Sequence, residues 1–230
     1  KKKVEDAFYL YKEGQLEQAI DEIKKLNNQY PNQPILFNLI GACYKDLGKL
    51  EGAAKMFEIA VSIKPSYAEA YFNLGVVLQA LDKNSHAVEC YKKAIESLPN
   101  YAEAHNNLGN LYRQFGLLEL SIESLEWAVA YKHDYAEAYN NLGTAYHDFD
   151  KVEDAIKSYE RAIKINPNYT KAIFNLSLTQ KDIGNRDLSM KLAEKALELN
   201  PMWSNVHLEI SRLKKYEKND PQITKVLSYL

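Results

Sequence analysis

Cysteine is nearly absent from this chain, with Cys43 and Cys90 the two among 230 residues. That scarcity excludes a small domain stapled by disulfides, and two thiols in separate segments read as small, reduced interior side chains. The expected compartment is therefore reducing, the cytoplasm. Long apolar runs are also missing. No stretch approaches the roughly 18 residues that a membrane-spanning helix requires, and the opening Lys-Lys-Lys-Val-Glu-Asp-Ala-Phe has neither a signal-like apolar core nor an initiating Met. The start reads as that of a fragment excised from a longer protein. No excess of one charge exists either: 29 basic residues face 31 acidic ones, a net charge of -2. Neither nucleic acid nor an anionic membrane surface is an expected partner.

Catalytic and metal-binding patterns are lacking, as are Gly-rich phosphate loops and nucleophile elbows. The five histidines are scattered, and none has a second ligand at helical spacing in the manner of a zinc site. Carboxylates are dispersed along helix-forming segments, where solvation and i,i+4 pairing account for them. Glu126 and Trp127 read as structural. Asn168-Tyr169-Thr170 and Asn175-Leu176-Ser177 have the form of glycosylation sequons, but Asn175 belongs to a wider pattern and such triplets arise by chance. The expectation is a chain without cofactor, metal or catalysis of its own.

What the chain does have is repetition. Tyr-Ala-Glu-Ala-Tyr-Asn-Asn-Leu-Gly-Thr-Ala-Tyr at 135–146 repeats, 34 residues downstream, the Tyr-Ala-Glu-Ala-His-Asn-Asn-Leu-Gly-Asn-Leu-Tyr of 101–112. With Ala136 as position 1, position 8 is small in all six copies: Ala7, Gly41, Gly75, Gly109, Gly143 and Ser177. Position 20 is small too, as is position 27 except for Leu26, while positions 4 and 24 are mostly large. Position 15 is Gly14, Gly48, Gly116 or Gly184, with Asp82 and Asp150 in the other two copies. Each copy thus shows two apolar stripes of helical period separated by a break, and is expected to be a helix pair. Asn32, Ser66, Asn100, Asp134 and Asn168 stand where N-caps belong, and Glu69, Glu103 and Glu137 follow three residues later as capping boxes.

These residues resemble the tetratricopeptide repeat (TPR) signature, most fully in the fifth copy with Tyr139, Leu142, Gly143, Tyr146, Ala155, Tyr159, Ala162 and Pro167. The resemblance implies an all-α, right-handed α-solenoid of six helix pairs, at about 1–33, 34–67, 68–101, 102–135, 136–169 and 170–203. A capping helix and the start of a connector would occupy 204–230. It implies further that the first helices line a concave groove, with positions 2, 5, 6, 9, 12 and 13 turned into it, and that a protein or peptide ligand lies there. Candidate partner-binding residues on that basis are Asn73, Asn107, Asn141 and Asn175 at position 6, Asn106 and Asn140 at position 5, and Asn110 at position 9. Arg113, His147 and Lys181 at position 12 and Lys171 at position 2 complete the set.

An asparagine amide both donates and accepts, so a row of them could read the backbone of an extended peptide. The arrangement resembles the asparagine ladder of the TPR superhelix in O-linked N-acetylglucosamine transferases. Equally, each amide could bond the neighbouring copy, and the sequence leaves both readings open. The two-carboxylate clamp of chaperone-binding TPRs fits less well, because position 5 is Asn38, Phe72, Asn106, Asn140 or Phe174 where that clamp wants lysine.

After Pro201 the repeat fades. The segment from Ser211 to Ile223 resembles the connector of bacterial TPR-sulfotransferase fusions, which implies a covalently linked catalytic domain beyond Leu230. Asn219-Asp220-Pro221 reads as a helix start, and Val226, Leu227, Tyr229 and Leu230 as apolar residues awaiting cover. Three functions are open: a peptide-binding interaction module, a substrate-recruiting or regulatory arm of a larger transferase (sulfotransferase or glycosyltransferase), and a homo-oligomerisation device.

Overall fold

The computed structural model describes residues 2–213. Among them are thirteen α-helices and no strand. They fall into two compact units that divide between Leu111 and Tyr112. The helix start read at 219–221 and the apolar residues Val226, Leu227, Tyr229 and Leu230 lie outside the described residues.

The first unit contains α1 (Lys2–Lys12), α2 (Leu16–Gln29), α3 (Pro34–Asp46), α4 (Leu50–Ile63), α5 (Ala68–Ala80) and α6 (Asn84–Ser97). It also holds most of α7 (Ala102–Gln114). The second unit carries α8 (Leu118–Tyr131), α9 (Ala136–Asp148), α10 (Val152–Ile165), α11 (Thr170–Asp182), α12 (Arg186–Leu199) and α13 (Ser204–Leu213). In each, odd-numbered helices alternate with even-numbered ones and consecutive helices pack together.

Close packing within a pair depends on what position 8 lacks. A Cβ on Gly41 would lie 2.6 Å from the Phe57 ring, one on Gly75 2.6 Å from Tyr91, and one on Gly143 2.7 Å from Tyr159. The aromatic ring at position 24 of these copies therefore lies against bare backbone of the partner helix, where it is fully or almost fully buried. Where position 24 is small, position 8 need not be glycine: Ser177 stands opposite Ala193 and donates to the Ser189 carbonyl at 2.9 Å.

The break between the two helices of a pair is a Schellman turn in all six copies. In the second, Gly48 N–H donates to the Lys45 carbonyl at 2.9 Å and Lys49 N–H to that of Tyr44 at 2.8 Å. The turn requires a left-handed residue, and Gly48 has φ 71°. Asp82 and Asp150 adopt the same conformation at φ 57° and 59°, so an aspartate replaces the glycine without altering the turn.

The opposite ends differ from expectation. α3, α5, α9 and α11 are capped one residue later than the sequence suggests, by Gln33, Tyr67, Tyr135 and Tyr169, and none makes a side-chain capping bond. Two of the expected N-caps are engaged in the preceding turn: Asn32 is left-handed at φ 61°, and Asn168 N–H donates to the Asn166 side chain at 3.1 Å. The tyrosine at the cap acts instead as a packing element. Lys64 Nζ lies 5.1 Å from the centre of the Tyr67 ring, and Lys132 Nζ 4.7 Å from that of Tyr135.

Two buried histidines also find a structural task. His105 Nε2 is 2.9 Å from the Pro99 carbonyl oxygen and His207 Nε2 is 2.8 Å from that of Pro201. A carbonyl only accepts, so the ring nitrogen carries the proton. Burial lowers the His105 pKa below the ordinary histidine value, with the Pro99 bond opposing it.

Two measurements check this account. Gly143→Leu should destabilise the second unit by about 1 to 3 kcal/mol or more in urea unfolding, because the Tyr159 ring and the Ala155 carbonyl leave no room. An unchanged midpoint would refute the close contact. For His105, a depressed native pKa favours the neutral ring, so its stability contribution is full above the unfolded pKa of about 6.5 and is lost as pH falls below it. His105→Tyr, which installs the residue of the third and fifth copies, should lose less stability between pH 7.5 and 5 than the wild-type chain.

Candidate functional site

In the first unit, a cleft of about 590 Å³ opens over α1, α3 and α5. Its lining follows the repeat register. Val4, Glu5 and Phe8 come from positions 5, 6 and 9, and Ile35, Asn38 and Leu39 from positions 2, 5 and 6. Glu69, Phe72 and Asn73 repeat positions 2, 5 and 6, and the cap tyrosines Tyr67 and Tyr101 complete the wall. The volume is that of an ordinary ligand site, and its surface is chiefly apolar.

Aromatic packing shapes this cleft. Phe72 lies 4.9 Å from Tyr101 and 5.9 Å from Tyr91, centre to centre, in tilted geometry. Phe8 and Ile35 remain 45% and 50% exposed, more than core side chains do. Burial, then the Glu103 and Glu69 carboxylates, push the Tyr101 phenol up to about 12. Burial and Glu69 also raise Tyr67, while a hydrogen bond from the Asn38 amide opposes them. The cleft thus combines an apolar floor, neutral phenols and two acids, Glu5 and Glu69.

The candidate asparagines are largely engaged with one another. Asn73 Nδ2 donates to Asn38 Oδ1 at 3.1 Å, and Asn175 Nδ2 donates to Asn140 Oδ1 at 3.0 Å. Both pairs are 35 residues apart, linking position 5 of one copy to position 6 of the next. Asn106, fully buried, donates to the adjacent Asn107 at 3.2 Å, and Asn140, 5% exposed, to Asn141 at 3.4 Å. Asn110 is half-buried on α7. Tyrosines from second helices join this row. Asn107 Nδ2 donates to the Tyr91 hydroxyl at 3.3 Å, which itself donates to Gln79 at 3.1 Å. Tyr159 donates to Thr144 at 3.3 Å, and Asn175 reaches the same Thr144 oxygen at 3.5 Å.

The rim shows the same 35-residue offset. Tyr11 donates to Asp46 at 2.8 Å, Arg113 Nη1 is 3.0 Å from Asp148 Oδ2, and His147 Nε2 is 3.2 Å from Asp182 Oδ2. Residues expected to face solvent or a ligand thus pair across copies. Exposed as they are, each pair contributes about 0 to 1 kcal/mol. Lys181 Nζ lies 2.8 Å from Glu209 Oε1 in an ion pair, with Arg212 at 3.7 Å from the other oxygen. Glu209 is only 3% exposed and its nearest cation is on another helix, so solvation and i,i+4 pairing do not account for this carboxylate as they were expected to. Lys171 stands apart, in a second cleft of about 460 Å³ with Tyr169 and Trp203.

Sequence reasoning selected the polar residues at groove positions and passed over the apolar ones. Phe72 interrupting the asparagines at position 5, with Val4, Phe8 and Ile35 at positions 5, 9 and 2, was the available signal. Among the described residues no group of His, Cys, Asp or Glu is arranged to hold a metal ion, and no helix is long and apolar enough to cross a membrane. Cys43 and Cys90 are buried and unbridged, with burial the main cause lifting each thiol to about 11.

Family profiles described as TPR repeat match residues 41–82, 80–116 and 109–148, and profiles described as tetratricopeptide repeat match 136–169 and 170–201. The chain belongs to the tetratricopeptide repeat family. Solved TPR structures agree in fold. MamA is 28% identical, with 72% of this chain and 97% of that chain covered and a TM-score of 0.66. YrrB, described as a TPR protein with an unusual peptide-binding site, is 18% identical over 83% of this chain and 97% of that one, with a TM-score of 0.70. A chain of the Cut9–Hcn1 hetero-tetramer of APC/C is 17% identical, with 97% of this chain and 44% of that chain covered and a TM-score of 0.75. A search of curated protein sequences returns no match to this TPR chain.

The Asn140–Asn175 bond is testable by a double-mutant cycle. Asn140→Ala should cost about 1 to 3 kcal/mol, since it strands a half-buried amide, and coupling to Asn175→Ala should be about 0.5 to 1.5 kcal/mol. Additive effects in thermal unfolding would mean that the two amides do not support each other.

Proposed function

We propose that this TPR chain is a protein-interaction module that holds an extended peptide along its first helices. The observation that carries this reading is the cleft over α1, α3 and α5, lined by groove positions and cap tyrosines. Its apolar floor suits one large aliphatic or aromatic side chain of the ligand. Glu5 and Glu69 favour a lysine or arginine beside that anchor. Asn73 spends one N–H on Asn38, and its amide has a further N–H and a carbonyl able to meet a peptide backbone. The asparagine row is then both an inter-repeat brace and, at Asn73, a reader of peptide backbone. YrrB, a neighbour in fold, is described as binding peptide. The readings as a transferase arm and as a self-association module rest on C-terminal residues that lie mainly after Leu213, outside the described structure.

A peptide selected by display against the full chain tests the proposal. Ile35→Glu and Phe72→Ala should each weaken it by about tenfold or more, equivalent to about 1.4 kcal/mol. Ile35 is half exposed, so its variant should melt as the wild type does. Binding that is indifferent to both substitutions would remove the cleft from the site.

A further inference from the structure

The six copies act as references for one another, because they place the same backbone slot in similar surroundings. The fourth copy departs from the others on its second helix, α8. At position 26 the other copies carry Lys25, Ile59, Lys93, Arg161 and Lys195, and α8 carries Trp127. At position 16 they carry Gln15, Lys49, Lys83, Lys151 and Asn185, and the fourth copy carries Leu117. Trp127 was expected to be structural, yet it is 47% exposed, with Leu117 at 45%, Leu120 at 43% and Tyr131 at 42%. Successive helical residues are about 100° apart, so Leu120, Trp127 and Tyr131 fall within about 40° of one another on one face. Trp127 and Tyr131 stack with ring centres 5.4 Å apart and planes 18° apart, a pre-ordered aromatic pair. Contiguous exposed apolar surface of this kind marks association, and tryptophan and tyrosine dominate binding hot spots.

Charge selects the occupant. α8 has Glu119, Glu123 and Glu126 and no lysine or arginine, unlike every other second helix of the chain. On the same wheel these acids line one flank of the stripe, and Glu126 is held in place by the Tyr146 hydroxyl at 2.5 Å. We propose that the exposed face of α8 docks an amphipathic helix of a partner protein, with an apolar stripe flanked by lysine or arginine. The stripe from Leu120 to Tyr131 spans about 16 Å, enough for about three turns of that helix. A second copy of α8 suits this face poorly, because a two-fold contact would set Glu119 and Glu123 against their own like charges. This surface involves none of the residues of the first-helix cleft.

The test uses the full 230-residue chain. A displayed library of helical peptides with leucine at i, i+3, i+4 and i+7 and randomised flanks is selected against it, and binders are measured by fluorescence anisotropy. The proposal expects enriched peptides to be basic on the flanks, to lose about tenfold or more in affinity to Trp127→Ala, and to weaken again with Glu123→Lys. Lys93→Ala, the same slot as Trp127 in the third copy, should leave binding unchanged, and all three variants should melt as the wild type does. A library that yields only acidic binders, only binders insensitive to Trp127, or none overturns it. So does a concentration-dependent dimer abolished by Trp127→Ala, which would give the face to self-association.

Discussion

The contact on which the rest depends is an aromatic ring resting on a glycine. At Gly41–Phe57, Gly75–Tyr91 and Gly143–Tyr159 the ring occupies the space where any Cβ would stand. Two consequences follow. The helices of a pair approach closely enough to bury position 24 almost completely, which supplies the core of each pair. Where the ring is tyrosine, the phenol also passes between the helices and delivers its hydroxyl to the polar row on the first helices. Tyr91 then accepts from Asn107, and Tyr159 bonds the threonine that Asn175 reaches. A hydrophobic contact within one copy thus positions a polar contact with the next.

That coupling fixes the register between copies. Side chains related by 35 residues meet, in asparagine pairs near the middle of the first helices and in phenol, guanidinium and imidazole pairs with aspartate at the rim. Surface ion pairs add little stability each. Buried asparagines are different: the Asn140 carbonyl oxygen accepts from Asn175 of the next copy, and a slip of one position would take that donor away. The apolar contacts supply most of the free energy, and the amides restrict how neighbouring copies dock. The first helices can consequently be rich in polar groups without loosening the packing of neighbouring copies.

How much of this is legible in the sequence depends on whether a residue's role is local. The period of 34, the helix pairs and the left-handed residue at position 15 follow from spacing alone, and Asp82 and Asp150 adopt the turn geometry that their alignment with glycines implies. The helix starts are less legible, since Asn32 and Asn168 are good N-caps by type but are consumed by the turn before them. The row of asparagines is visible in the sequence, yet its hydrogen-bond partners are 35 residues away, and no local rule identifies them. The cleft over α1, α3 and α5 went unread because an apolar residue at a groove position resembles one at a core position until the backbone separates the two faces.

Trp127 shows how an internal repeat corrects that blindness. Taken alone, a tryptophan on a helix reads as core. Compared with Lys25, Lys93, Arg161 and Lys195 in the same slot, it stands where four of the other five copies keep a charge, Ile59 being the exception. A repeat array can specialise a surface without disturbing its core, because the residues that hold a pair together, at positions 8, 20, 24 and 27, are distinct from those that face outward. The fourth copy keeps small residues in three of those slots, Gly109, Ser121 and Ala128, with Leu125 at position 24, while its outer face has exchanged lysine for tryptophan. Stability and recognition can therefore change independently along the chain, and on α8 the slots that hold the pair together keep their character while the outer face has changed.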